Sequence, residues 1–380
     1  MKKLILSGLI ACLLAPMFAL SWNGVLDNNT YLVSNKDFSQ INLQQSNGVH
    51  LSVNVPFNPA GTMKFVAEGS FKYKFSTAIP QSESNFKMIA DCDLLKFSGK
   101  WNVGKGIVNL DLGRFLISDI SGYVFSQKSD GISFSYDALK YKIGAYAGYT
   151  GFQNQLNVSM HNSSVVENAN FYALTAGYIP VMVNLTYKTL FETNTIGLQG
   201  EAFIPVNGDD KAKYAYGTLM MNGPLGVFGA YTFKGTVGLA DFKNLMADGS
   251  LDFNFYLANA AIMVVGGEFV SFNAGPLNTF VSITSRTISY DPMFASLGGV
   301  LPKLSLIFAK NNLLVSVTGK GVIAMGESTK FHGLDAGASL VCNVFSDLQV
   351  GCDLTAFVGI DEEVKEYSNY SATIKASFAF

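Results

Sequence analysis

The chain ends on Ser368–Phe380, SNYSATIKASFAF, and the reading of these thirteen residues decides the fold. Tyr370, Ala372, Ile374, Ala376, Phe378 and Phe380 share one parity, and Ser371, Thr373, Lys375, Ser377 and Ala379 share the other. A strand displays side chains with a period of two, so the segment predicts one apolar and one polar face. A soluble sandwich would tolerate such a strand, but the last residues of a soluble domain usually fray. Two aromatic residues at the terminus therefore call for a partner that holds the end in place.

The opposite terminus, MKKLILSGLIACLLAPMFALSW, begins with Lys2 and Lys3, continues apolar and reaches small residues at Ala19 and Ser21. This order predicts a secretory signal peptide over residues 1–21. A lipidated Cys12 in LIAC is the competing reading, disfavoured because the residues after it stay apolar. The whole chain is 49% hydrophobic and 13% aromatic but only 14% charged, against about 25% in soluble domains. No apolar run beyond the leader is long enough for a spanning helix. Lipid requires every backbone polar group to be paired internally, so without spanning helices a closed barrel is left. The net charge of −2, or −4 once Lys2 and Lys3 depart, gives no support for a nucleic-acid partner.

The alternation recurs along the chain. TMKFVAEGSFKYKF sets Phe65, Phe71, Tyr73 and Phe75 against Lys64, Glu68, Lys72 and Lys74. ALKYKIGAYAGYTG, VMVNLTYK, TIGLQGEAFI and DLQVGCDLTAFVG repeat the pattern at a length suited to tilted membrane strands. The expectation is an all-β fold: a transmembrane antiparallel up-and-down β-barrel of about 16 strands, within a range of 14–18. Residues 48–380 form the barrel, and residues 22–47 hold a leader, a first strand or a small plug. LDFNFYLANAAIMVVGGEFV reads as one long strand or as a hairpin turning near Asn259. Tight turns are expected at FSD (345–347), at KNN (310–312) and around Pro180. Long polar connections are expected at 152–170, 233–250, 285–299 and 360–369.

With the apolar parity of its last eleven residues and Phe380 at the end, the terminal strand resembles the C-terminal assembly signature of porin-like outer-membrane β-barrel proteins. The resemblance implies a bacterial outer-membrane location and recognition of Tyr370, Ile374, Phe378 and Phe380 by the barrel-assembly machinery. It also implies outer-membrane lipid and small-solute cargo as partners, and a homo-oligomer remains an option. The implied function is passive diffusion of small polar solutes. Two alternatives stand beside it. Asn58-Pro59-Ala60 is similar to a tripeptide of long-chain fatty-acid transporters, barrels with an N-terminal hatch. A structural or adhesive surface barrel with a blocked lumen is the other.

The expected channel lining is Lys64, Glu68, Lys72, Lys142, Asp111 and Arg114. Charges facing a wet lumen remain hydrated, whereas a lipid-facing Arg at the midplane costs roughly 2–4 kcal/mol. Arg114 is one of two arginines, with Arg286, and lies among Asp111, Asp119 and Asp130. It shares its parity with Leu110 and Leu112, so a bulge or a strand end must intervene to bring it inside. No catalytic residues, cofactor or metal are expected. The three histidines are His50, His161 and His332; His161 lies beside Ser159, Ser163 and Ser164 with no orienting acid at a readable spacing. No Cys/His spacing suits zinc, and no glycine loop suits phosphate. Cys342 and Cys352 fall on diagonal positions of one hairpin and are expected to stay free, as is Cys92.

Overall fold

The computed structural model describes residues 20–80, 84–158, 160, 170–206, 213–241, 244–267, 272, 299–325, 329–362 and 364–380. The expected leader through Ala19, Cys12, His161 with Ser159, Ser163 and Ser164, and Arg286 lie outside the described residues. Eighteen strands are found among them. The first six are β1 (Ser21–Asn35), β2 (Ile41–Pro56), β3 (Met63–Ile79), β4 (Ser84–Val103), β5 (Gly106–Ser118) and β6 (Ser126–Ala138). The next six are β7 (Tyr141–Tyr149), β8 (Tyr178–Leu190), β9 (Asn194–Pro205), β10 (Tyr214–Pro224), β11 (Gly229–Ala240) and β12 (Asn244–Phe255). The last are β13 (Ala258–Gly267), β14 (Gly299–Lys310), β15 (Leu313–Met325), β16 (Thr329–Asn343), β17 (Leu348–Gly359) and β18 (Asn369–Ala379). Each strand pairs antiparallel with its neighbours in sequence, and β1 pairs with β18. The sheet is thus a closed up-and-down barrel without a free edge, the arrangement that satisfies strand backbones in lipid. No described helix is long and apolar enough to cross a membrane.

The strand count stands at the top of the expected range, and two readings are corrected. Residues 233–250, taken as a long polar connection, are the end of β11 and the start of β12, joined by a short turn. Their lumenal parity carries Thr236, Asp248 and Ser250, all buried, while Val237 and Leu245 are exposed on the outer parity. Glycines and polar inward residues dilute the apolar alternation there. Pro180 lies inside β8, with no turn around it. Of the two readings of the segment from Leu251, the hairpin holds, with its turn at Tyr256–Leu257 close to Asn259. Residues 22–47 hold most of β1 and the start of β2, whose lumenal faces are polar enough to hide their pattern. With these strands placed, connections 150–177 and 268–298 both leave from the end opposite Phe380.

Closure rests on the terminal strand. Gly24 and Phe380 exchange backbone hydrogen bonds of 2.8 and 2.9 Å. Gly24 leaves room for the Phe380 ring, since a Cβ there would strike it. Trp22 and Phe378 each lie 6.3 Å from that ring, and Tyr370 stacks on Phe38 at 5.4 Å. Exposed apolar side chains clothe the outside around the barrel, among them Val49, Phe71, Ile143, Leu185, Leu198, Val317, Leu354 and Ile374. Burying each such group in hydrocarbon contributes roughly 1.5–3 kcal/mol. Cys352 faces Leu340 and Cys342 faces Val350, so the two thiols stay diagonal and free.

Candidate functional site: a lumen crossed by an inward hairpin

The β5–β6 hairpin leaves the wall. Gly113 pairs with Gly131. Gly113 has φ +113°, and a Cβ on it would run into the Leu95 carbonyl oxygen. On Gly131 a Cβ would meet the Ala147 carbonyl oxygen. Glycine alone fits this bend, where the backbone approaches its neighbours too closely for a side chain. Beyond Leu95↔Arg114 the β4–β5 ladder stops, and beyond Asp130↔Tyr149 the β6–β7 ladder stops. Only β5 and β6 continue together, to Ser118↔Ser126.

The hairpin tip is built around Asp119. Its carboxylate accepts backbone N–H groups from Ser121, Gly122, Val124 and Phe125 at 2.8–3.2 Å, together with the Ser121 hydroxyl. An aspartate bonded to its own following backbone is an efficient way to fix a turn. The tip then spans the lumen to the opposite wall. Gln199 Oε1 on β9 accepts from Ile120 N at 2.9 Å, Lys234 Nζ on β11 donates to Ser121 O at 2.7 Å, and the Tyr123 hydroxyl meets Ser250 Oγ on β12 at 2.9 Å. Lys234 also sits 4.7 Å above the Tyr123 ring. Phe125 packs 5.3 Å from Phe203 and 5.7 Å from Phe272, and Phe272 stacks on Phe203 at 4.1 Å. This inner aromatic cluster fills the side of the lumen bounded by β8–β10.

An inward hairpin leaves a gap in the wall, and the β7–β8 connection closes it. Asn154 Nδ2 donates to the Ala90 and Phe171 carbonyls at 3.3 and 2.9 Å, and Phe171 bridges to β4 at Ile89. Phe152, Phe171, Tyr172 and Leu174 remain exposed, as wall residues facing lipid would be. The described flanks of the expected polar loop 152–170 are therefore wall.

Arg114 secures the seam. It is 8% exposed and pairs with Asp130 through Nε at 2.9 Å and Nη2 at 2.8 Å. Nη1 donates to Cys92 O at 3.0 Å, and Nη2 also donates to Phe152 O at 2.9 Å. One guanidinium fork thus joins hairpin, β4 and filling segment, a use suited to its planar donors. Arg114 lines a cavity with Asp91, Asp130 and Tyr172 that opens among the outward residues Val49, Leu51 and Phe71, and it is absent from both lumenal chambers.

Two chambers remain in the lumen, the smaller against the hairpin and the larger on the side of β1–β4 and β14–β18. A 610 Å³ chamber is lined by Lys64, Lys100, Lys142, Asp111 and Ile120, bringing together three of the expected lining residues. Asp111 is held there by Ser98 at 2.5 Å and by Lys96 at 3.5 Å. A 1210 Å³ chamber is lined by Lys74, Lys87, Lys303, Lys320 and Lys375 with Asp335 and Asp353. Glu68 and Lys72 lie on the inward row of β3; Glu68 approaches His50 at 3.9 Å. The sequence reading missed the hairpin, although Gly113, Gly131 and the DISG turn at 119–122 were available as signals.

No family model matches the sequence, and no curated protein matches it. Solved structures do. Pseudomonas aeruginosa OccK7 (OpdD) superposes with a TM-score of 0.64 at 9% identity, covering 96% of this chain and 99% of that one. The outer membrane protein OprD from the same organism gives 0.57 at 10% identity, with 97% and 95% covered. OpdK with vanillate, also from P. aeruginosa, gives 0.59 at 10% identity, with 95% and 98% covered. Over almost its entire length, this polypeptide has the fold of these porin-like barrels.

Proposed function

We propose that the protein is a bacterial outer-membrane channel for passive diffusion of small polar solutes, with anions favoured. The carrying observation is a closed barrel, apolar outside, whose two lumenal chambers are lined by lysines in excess. Five lysines face two aspartates in the larger chamber, and three lysines face one aspartate in the smaller. Lysine rings of this kind favour anions over cations in a pore. OpdK, similar in fold, was solved with vanillate, an aromatic carboxylate. Small organic carboxylates are the corresponding cargo class here. In planar bilayers, the purified chain should give ohmic steps, and a KCl gradient should give a reversal potential of the sign for chloride preference. Silence at high protein dose would sink the channel reading; cation preference would sink the anion assignment.

An N-terminal hatch has no support among the described residues, because residues 22–47 lie in wall strands and the turn between them. Asn58-Pro59-Ala60 is the β2–β3 turn, with Asn58 Nδ2 donating to Thr62 Oγ1 at 2.6 Å. The proposal includes export through a signal peptide over residues 1–21, which N-terminal sequencing of the mature protein tests. It also includes recognition of the last strand by the barrel-assembly machinery. Phe380→Ala should lower the fraction reaching the folded, heat-modifiable form in cells, while refolding into detergent in vitro changes far less. An equal loss in both settings would assign the residue to closure alone. The reading gives the chain no catalytic role.

A further inference from the structure

We propose that His50, Glu68 and Asp93 form a lumenal binding site for a divalent transition-metal ion, with Asp27 orienting the histidine. The three ligands come from adjacent strands β2, β3 and β4, and their donor atoms lie within 4.8 Å of one another. A bulge builds the site. Glu68 pairs with Leu94 and Gly69 with Cys92, so Asp93 is the extra residue of β4. Bulges of this kind re-aim a side chain, here toward the inward row of β2 and β3.

Asp93 carries an independent signal. It is 2% exposed, and its Oδ2 has no hydrogen-bonding partner. Lys128 engages Oδ1 and leaves Oδ2 directed at His50 Nδ1, 3.6 Å away. Glu68 Oε1 lies 3.9 Å from the same nitrogen. On the other side of the ring, Asp27 Oδ1 stands 2.8 Å from Nε2. A carboxylate on one ring nitrogen fixes the tautomer and makes the other nitrogen the better ligand. Nδ1 is thus the ring nitrogen that faces the Asp93 and Glu68 carboxylate oxygens.

A cation between the three atoms would offset the repulsion between the two carboxylates, of which Lys128 already compensates Asp93 on its Oδ1 side. A metal bonded at about 2.0–2.2 Å in tetrahedral geometry holds neighbouring ligand atoms about 3.3–3.6 Å apart. The two distances to His50, 3.6 and 3.9 Å, lie close to this range, and the two carboxylates, within 4.8 Å of each other, draw together on binding. One imidazole with two carboxylates suits zinc and its first-row neighbours better than calcium, which takes six or more oxygens. Three protein ligands leave a fourth position for water or a solute in the lumen. The competing occupant is a proton on Nδ1, giving an imidazolium within an acidic cluster.

Zinc titration of the full-length protein in detergent, followed by calorimetry, decides between them. The proposal expects one zinc per chain and no saturable calcium heat. His50→Ala and Asp93→Asn should each weaken zinc at least ~10-fold, and Asp27→Asn within ~10–100-fold. Heat-modifiable migration checks folding, and His50→Gln, at a half-buried position, serves if Asp93→Asn misfolds. Absence of one-to-one zinc binding, equal affinity in wild type and His50 variants, or equivalent calcium binding would overturn it. The titration needs no open pore, so it stands independently of the conductance result.

Discussion

Replacing residues 119–125 by a short glycine–serine turn is expected to raise unitary conductance several-fold without loss of the folded barrel. The tip is the element that reaches from the β5–β6 side to Gln199, Lys234 and Ser250. Removing it opens the lumen between the β5–β6 side and the β9–β12 wall. The cost in stability is limited by what the tip covers. Glu201 is 5% exposed and neither carboxylate oxygen has a hydrogen-bonding partner. Burying such a group without a partner costs several kcal/mol, and readmitting water removes that cost. Loss of the Phe125–Phe203–Phe272 contacts opposes the gain, each aromatic pair contributing about 0.5–1.5 kcal/mol beyond its area. Single-channel recording with the heat-modifiability assay reads both quantities. An unchanged conductance in a folded variant would mean that the tip does not obstruct the path.

Arg114→Ala is expected to destabilise the barrel by about 3–5 kcal/mol while leaving the reversal potential where it was. The magnitude follows from removing one partner of a buried pair. Asp130 loses both of its guanidinium bonds, and Asp91, at 2% side-chain exposure, loses a cation 3.6 Å away. The Cys92 and Phe152 carbonyls lose their donor as well. Arg114→Lys should recover little, because an ammonium cannot reproduce the fork across three segments. Urea unfolding in detergent micelles measures the loss. A shifted permeability ratio with undiminished stability would place Arg114 on the solute path instead of in the seam.

Much of the wall was legible because period-two alternation survives where charged inward residues face an unbroken apolar row. β3 shows it plainly, since lysines and a glutamate alternate with aromatic residues from Met63 to Phe75. β11 and β12 hid because Gly235 and Gly249 interrupt their outward apolar row, although Lys234, Asp248 and Ser250 mark the inward one. Arg114 retains the parity of Leu110 and Leu112, as the pattern implies, and the bend at Gly113 lies directly before it. The hairpin was illegible for a different reason. Nothing in a strand pattern says whether a ladder continues, and here it stops where two glycines face each other across β5 and β6. The His50–Glu68–Asp93 cluster was hidden likewise, because an unpaired residue at a bulge joins side chains that no linear spacing reveals.

The side chains of the wall alternate between hydrocarbon and a water-filled interior, and single-cysteine labelling along β15 measures this directly. In a background with Cys92, Cys342 and Cys352 replaced by alanine, a charged, membrane-impermeant thiol reagent is applied to protein in lipid vesicles. Thr318 lines the larger chamber, and Val317 is exposed on the outer parity. Thr318→Cys and Ser316→Cys should label readily, while Val317→Cys and Val315→Cys stay protected. Equal labelling at both parities would contradict the lipid-facing, water-filled barrel described here.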